Sequence, residues 1–364
     1  MSMLVIALHT ILASAQSSAE PPKTAEQAFK NIQTLKGIPA NQFIPTMQFI
    51  SASLGVECEF CHVEGAFDKD DKKTKQTARK MMEMVFSINK GSFDGHRDVT
   101  CYSCHHGNSH PVSIPVIPTT AEAAALSATP KKEVHSEEPG NNSSAVVDPI
   151  LEKYIAAIGG PAALQKVSSR VLKGSVDLAG KEFPIDIYAQ QPDKRVSIMH
   201  LQNGDSVTAY NGTVGWLSAP GRPTQWMSAA EADGARLDAD LYLPSRLKQI
   251  FSELRALPTE KIDGHDMNVL QGIREGKPPL ILYFDQESGL LVRMVRYVDT
   301  ALGLNPTEID YADYRDSGGV KIPYRWTVAR PRGRFTIQAE QVQQNVPIDD
   351  QKFVAPAPQP SDRH

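Results

Sequence analysis

Cys58-Glu59-Phe60-Cys61-His62 and Cys101-Tyr102-Ser103-Cys104-His105 each place two thiols three positions apart and follow them at once with an imidazole. That spacing suits covalent attachment of a c-type haem. The two thiols add to the two vinyl groups of one macrocycle, and the next residue, the histidine, falls beneath the iron as proximal ligand. Cys58 and Cys61 would hold one haem with His62, and Cys101 and Cys104 a second with His105. This uses all four cysteines of the chain and leaves none for a disulfide. A four-cysteine zinc site would need the pairs to converge across residues 62–100 and gives no reason for the trailing histidines. Two redox dithiols give none either.

A sixth iron ligand must come from elsewhere. A Met thioether opposite His raises haem potential and suits electron transfer. Met47 precedes the first pair, and Met81 and Met84 stand in the equivalent place before the second. The alternative is that these methionines are core filler. His96 is a further candidate distal ligand, whereas His106, adjacent to His105, points away from that iron.

The elements that position these groups read as helices. Pro45 to Leu54 suits a helix with the proline in its first turn, Met47, Ile50 and Leu54 on one face and Gly55 as its stop. A second runs from Thr77 to Lys90, ends at Gly91 and turns Met81, Met84, Val85 and Ile88 inward. An earlier helix, Thr24 to Leu35, buries Phe29, Ile32 and Leu35. Helix, loop and Cys pair thus occur twice. Between the pairs, Asp68 to Lys80 carries six basic and three acidic residues. It reads as a solvated loop and helix start, or as a patch that steers an acidic redox partner.

These helices with their cysteines resemble the multihaem cytochrome subunit bound to photosynthetic reaction centres, and more closely its two-haem exported relatives. The resemblance spans about residues 24–108. Phe29-Lys30-Asn31-Ile32-Gln33, Met47-Gln48-Phe49-Ile50, Leu54-Gly55-Val56, Ala78-Arg79-Lys80-Met81-Met82-Glu83-Met84, Ile88-Asn89 and the run from Val99 to Gly107 carry it. In that family the helix before a haem site supplies an axial methionine. The resemblance therefore implies Met47 as distal ligand of the first haem and Met81 of the second. The chain departs from the family pattern in having two attachment sites where the subunit has four. His106 stands where an arginine is usual, there is no anchoring cysteine, and an unrelated domain follows. The resemblance implies haem electron transfer; it does not imply photosynthesis.

Upstream, Met1 to Gln16 has the form of a secretory signal. An apolar core, Leu4 to Leu12, leads to the Ala13-Ser14-Ala15 cleavage pattern, although no Lys or Arg precedes the core. Cleavage after about Ala15 would deliver the chain to the periplasm, where c-type haem is attached. Domain organisation is then expected as signal peptide 1–15, dihaem domain 16–106, Pro-rich flexible linker 107–146, β domain 147–355 and a disordered tail 356–364.

In the last large block, Pro149 to Ile158 reads as a helix ended by Gly159-Gly160. Alternating runs follow: Arg170 to Leu178, Phe183 to Ala189, Arg195 to Leu201, Ser206 to Tyr210 and Val214 to Ser218. A largely helical insert, Ser228 to Leu254, interrupts them. Strands resume at Met267 to Ile273, Leu280 to Asp285, Leu290 to Val298, Thr307 to Tyr314, Val320 to Ala329 and Arg334 to Val342. Asp263-Gly264, Ser288-Gly289 and Ser317-Gly318-Gly319 mark turns. The order of elements resembles the LolA-like half-open β-barrel of periplasmic lipoprotein and lipid carriers, which implies a concave face for an apolar ligand or part of another protein.

The fold expected is α+β in two domains: a small all-α dihaem cytochrome c, then a curved antiparallel sheet with helices on one face. The 364 residues divide into 41% hydrophobic and 22% charged, with 38 basic against 42 acidic side chains and a net charge of -4. That balance argues against a nucleic-acid partner, and no apolar run reaches the roughly 20 residues of a membrane span. The function expected is periplasmic electron transfer to and from redox partner proteins by two c-type haems, an electron carrier rather than an enzyme. The alternatives are a dihaem oxidoreductase with one open distal site, and a hydrophobic-ligand carrier with a redox-sensing haem domain.

Overall fold

A computed structural model describes residues 23–111, 144–331 and 333–356. The expected signal peptide, most of the expected linker and nearly all of the tail lie outside these described residues.

The helical part contains α1 (Ala25–Ala28), α2 (Ala40–Leu54), a 3-10 turn (Cys58–Phe60), α3 (Lys73–Ser92) and α4 (Cys101–His105). Helix α2 begins before Pro45, which lies buried inside it. The expected start at Pro45 is corrected: the proline occupies the second turn and forfeits one backbone bond there. The helix ends at Gly55, whose φ of 64° is left-handed. The helix expected over Thr24 to Leu35 shrinks to α1, because Phe29 turns extended and Asn31 takes a φ of 59°. Phe29 instead stacks on Phe43, ring centroids 4.7 Å apart, and Leu35 is buried.

Helix α3 runs through Gly91 rather than stopping before it. Its buried face is Lys75, Met82, Val85 and Asn89, while Met81 and Met84 are exposed. The expectation that Met81 and Met84 face the helical core is therefore corrected. The stripe is rotated by one residue, which leaves both thioethers on an open side.

The β part opens with α5 (Ser144–Ala157), which begins within the stretch read as linker, and α6 (Pro161–Leu164). Strands β1 (Ser169–Leu178), β2 (Lys181–Gln190), β3 (Lys194–Leu201), β4 (Gly204–Asn211), β5 (Gly215–Ala219) and β6 (Arg222–Trp226) come next. Helices α7 (Ala229–Ala239) and α8 (Leu243–Ile250) follow. Strands β7 (Glu253–Ile262), β8 (His265–Arg274), β9 (Lys277–Asp285), β10 (Leu291–Thr300), β11 (Gly303–Ser317), β12 (Val320–Arg330) and β13 (Gly333–Gln344) complete the sheet. All thirteen strands form one antiparallel sheet, curved and unclosed, with β1 joined to β13 and with β6 and β7 at the two edges.

In β9 the two-residue alternation puts Leu280, Leu282 and Phe284 into the main core, with Tyr154 of α5 against Phe284 at 5.1 Å between ring centroids. Ile281 and Tyr283 enter a second cluster on the opposite face. The edge strands β6 and β7 are additions to the strand set expected from sequence. Pro223 and Pro258 sit in them, which edge positions tolerate.

The two parts meet at the β10–β11 turn. Leu302, 2% exposed, lies in one apolar cluster with Leu35, Phe49, Met82 and Cys101. Arg97 pairs with Asp299 at 2.7 Å and donates to the Thr300 carbonyl. At Gly303 an added Cβ would meet the Phe49 ring at 2.5 Å, so only glycine allows this approach.

Candidate haem sites

Each Cys pair sits on a single helical turn. In the first, the backbone N–H groups of Cys61 and His62 both donate to the Cys58 carbonyl, at 3.2 and 2.9 Å. In the second, α4 places Cys101 and Cys104 at i and i+3, neighbours on one helix face. The four thiols form no disulfide. Among the described residues no three His, Cys, Asp or Glu side chains gather into a metal cluster. Cys101 is buried and Cys104 exposed. Burial pushes the Cys101 thiol up to about 11, and burial also raises Cys61.

The two histidines are held alike. His62 Nδ1 lies 2.8 Å from the Phe67 carbonyl oxygen, and His105 Nδ1 lies 2.8 Å from that of Asn108. A carbonyl oxygen can only accept, so Nδ1 carries a proton in both rings, and in the neutral imidazole this leaves the Nε2 lone pair free. Metal-ligating histidines are commonly fixed by such an outer bond.

Further contacts set the two turns. Asn89, buried on α3, donates to the Val99 carbonyl at 2.7 Å and accepts from Val99 N–H at 3.0 Å, which anchors the segment entering the second pair. The modules touch where Gly107 N–H donates to the Ser53 carbonyl at 2.9 Å. There an added Cβ on Gly55 would stand 2.0 Å from the Gly107 oxygen.

The charged run 68–80 turns partly inward, which the sequence reading missed. Lys75 is 8% exposed. Its ammonium donates to the carbonyls of Phe67, Asp68 and Lys69 at 2.9, 3.0 and 2.7 Å. Thr74 Oγ1 donates to the Phe60 carbonyl at 2.5 Å, and Lys72 to that of Glu59. The first turn of α3 thus clamps the loop around Cys58 and Cys61. Arg79, with Asn31 and Lys75, holds the Asp70 carboxyl well below the usual carboxylate range.

Met47 is half-buried on α2 against the Leu35–Phe49 cluster, with Ile50 and Leu54. Met81 and Met84 are 38% and 43% exposed. His96 and His106 are exposed, and His106 packs edge-on to Tyr102. Ile44, Phe60, Phe67, Phe86, Phe93 and Tyr102 are also uncovered apolar side chains of this part. Unbridged thiol pairs, imidazoles with a free Nε2 and uncovered apolar surface together fit covalently held haem.

A cavity of about 1020 Å³ fills the concave side of the sheet. Leu172, Ile185, Ile187 and Ile309 line it from the β part, and Ile44 and Pro45 of α2 line it from the helical part. Arg296 crosses to Asp238 in a two-pronged pair at 2.8 and 2.9 Å, fixing α7 to β10 at its wall.

Helical turns bearing C-x-x-C-H beside a half-open antiparallel sheet define a c-type cytochrome module joined to a concave β module. The chain belongs to the photosynthetic reaction centre cytochrome C subunit family, whose profile matches residues 3–201. It is 35% identical over 94 residues to the photosynthetic reaction center cytochrome c subunit of Thermochromatium tepidum, covering 25% of this chain and 23% of that protein. It is 29% identical over 144 residues to cytochrome c-554 of Chloroflexus aurantiacus, covering 34% of this chain and 32% of that protein. The chain thus spans about a quarter to a third of these relatives' length. Among solved structures, a DUF1329 family protein from Desulfovibrio piger covers 59% of this chain and 99% of its own at 14% identity and a TM-score of 0.40. A LolA superfamily protein from Nitrosomonas europaea covers 58% and 98% at 16% identity, also with a TM-score of 0.40. At that score the half-barrel description rests on the strand order alone. Among the described residues no helix is long and apolar enough to cross a membrane.

Proposed function

We propose that the chain is an exported, periplasmic electron carrier with two covalent c-type haems, serving redox partner proteins. Haem iron would supply one-electron exchange between ferrous and ferric states. Cys58 and Cys61 would anchor the first group, and Cys101 and Cys104 the second. His62 and His105 would ligate through Nε2, with Met47 and Met81 opposite them. The observation that carries this reading is the matched pair of Nδ1 bonds at 2.8 Å, which leaves both Nε2 atoms available at the two C-x-x-C-H turns. With both axial positions filled, small molecules would be kept from the iron, which favours a carrier over an enzyme.

The test is the absorption spectrum of the exported protein with a pyridine haemochrome count. Two covalent low-spin haems per chain, with a Met–iron charge-transfer band, are expected. A chain carrying none would overturn the reading.

For the β part we propose a binding site for an apolar ligand, supported by the aliphatic stretch of the cavity wall that Leu172, Ile185, Ile187 and Ile309 form. Organic extraction of the purified protein is expected to release such a molecule. Replacement of Ile187 by Glu, which puts a charge into the cavity wall, is expected to abolish its recovery; recovery unchanged would count against the site.

A further inference from the structure

We infer that Lys75 is a positioning and tuning residue for the first haem: its ammonium shares the Phe67 carbonyl with His62 and so raises that haem's reduction potential. The inference rests on the proposed haem reading.

The geometry is specific to one of the two sites. Phe67 O accepts from His62 Nδ1 at 2.8 Å and from Lys75 Nζ at 2.9 Å. The three ammonium protons are spent on the Phe67, Asp68 and Lys69 carbonyls, which wraps the loop around one cation. Asp70 Oδ1 faces the same cation at 3.1 Å but makes no hydrogen bond, and its Oδ2 takes Arg79 at 2.9 Å. Asp70 is thus divided between two cations, Lys75 and Arg79, so its single negative charge does not cancel both. At the second site Asn108 O accepts from His105 Nδ1 at 2.8 Å, and among the described residues no cationic side chain donates to that carbonyl.

Two effects follow, with one sign. A carbonyl that serves two donors binds each less strongly, and a cation beside it repels the partly positive Nδ1–H. His62 then keeps less imidazolate character and donates less to ferric iron. The positive charge behind the ring also disfavours the ferric state directly, and burial preserves that field from screening. Both effects raise the first potential. Lys75 also fixes where the Phe67 carbonyl lies, and with it the plane of the imidazole.

Potentiometric titration of the full, haem-loaded protein tests this. The unmutated chain is expected to give two one-electron steps. Lys75→Met should move one step down, by on the order of tenfold in the reduced-to-oxidised ratio at fixed poise (about 59 mV for one electron), and leave the other in place. Lys75→Arg, which keeps a cation, should leave both near their original positions. Two haems with neither step moved, both moved equally, or one moved upward would overturn the role of Lys75 while the haem reading stands. Loss of covalent haem from the unmutated protein would instead remove the reading beneath it. Should Lys75→Met fail to fold, NMR of the reduced unmutated protein decides the point. The His62 Nδ1 proton is expected upfield of that of His105, and equal or reversed shifts would sink the inference.

Discussion

Leu302, at the tip of a β-hairpin, shares a buried apolar cluster with Cys101, the first cysteine of the second C-x-x-C-H turn. Leu302→Ala should therefore destabilise the helical part although it lies in the β part. A Leu truncated in a core costs about 2–5 kcal/mol. Denaturant unfolding followed by the haem signal should shift to lower midpoint, while the sheet signal moves less. A haem signal that keeps its midpoint would contradict the shared core.

Gly55 has no room for a side chain. Its φ of 64° is left-handed and its Cβ position is 2.0 Å from the Gly107 oxygen. Gly55→Ala should cost more than about 1 kcal/mol, because strain and collision add. Thermal unfolding of the purified variant checks it, and an unchanged midpoint would mean the two modules do not meet there.

Acid should loosen the first site through Asp70. Its carboxyl is depressed, first by the Arg79 hydrogen bond, then by Asn31 and Lys75. A depressed carboxylate stabilises above its unfolded pKa, about 3.9, and that contribution is lost as pH falls below about 4 toward the folded value. Asp70→Asn should lower stability at neutral pH and flatten the acid limb of the stability curve between about pH 4 and 2. A variant that keeps the full acid slope would assign it to other carboxylates.

Met47→Ala and Met81→Ala should each open one iron. Carbon monoxide is expected to bind one haem per chain in either variant and neither haem in the parent protein. Binding by the unmutated protein would favour the oxidoreductase alternative. No gain in the Met81 variant would point to Met84 or His96 as the distal ligand at the second site.

That each C-x-x-C-H lies on one turn was legible because the motif is local: thiols and imidazole are a few residues apart, so spacing alone brings them together. The strands of the sheet were mostly legible for the same reason, since alternation is a local signal. The edge strands β6 and β7 escaped because Pro223 and Pro258 break the alternation, and the pairing shifts register beside each of them. Pro45 hid the true start of α2, and the exposed side of α3 was displaced by one residue, because Met81 and Met82 look alike to a periodicity argument. Lys75 and Leu302 were out of reach for a different cause. One lysine among six basic residues turned inward to serve carbonyls of a preceding loop. One leucine in a turn became core for a segment far upstream. Neither partner is visible until the chain has folded.

The Leu302 contact also makes the cytochrome core a composite, finished by residues that the chain reaches only after ten strands. A polypeptide ended between the two parts would keep both C-x-x-C-H turns yet present an apolar socket beside Cys101, lined by Leu35, Phe49 and Met82. Such an open socket is a sticky surface, so the haem-bearing half and the half-barrel are best regarded as one keyed joint rather than two beads on a string.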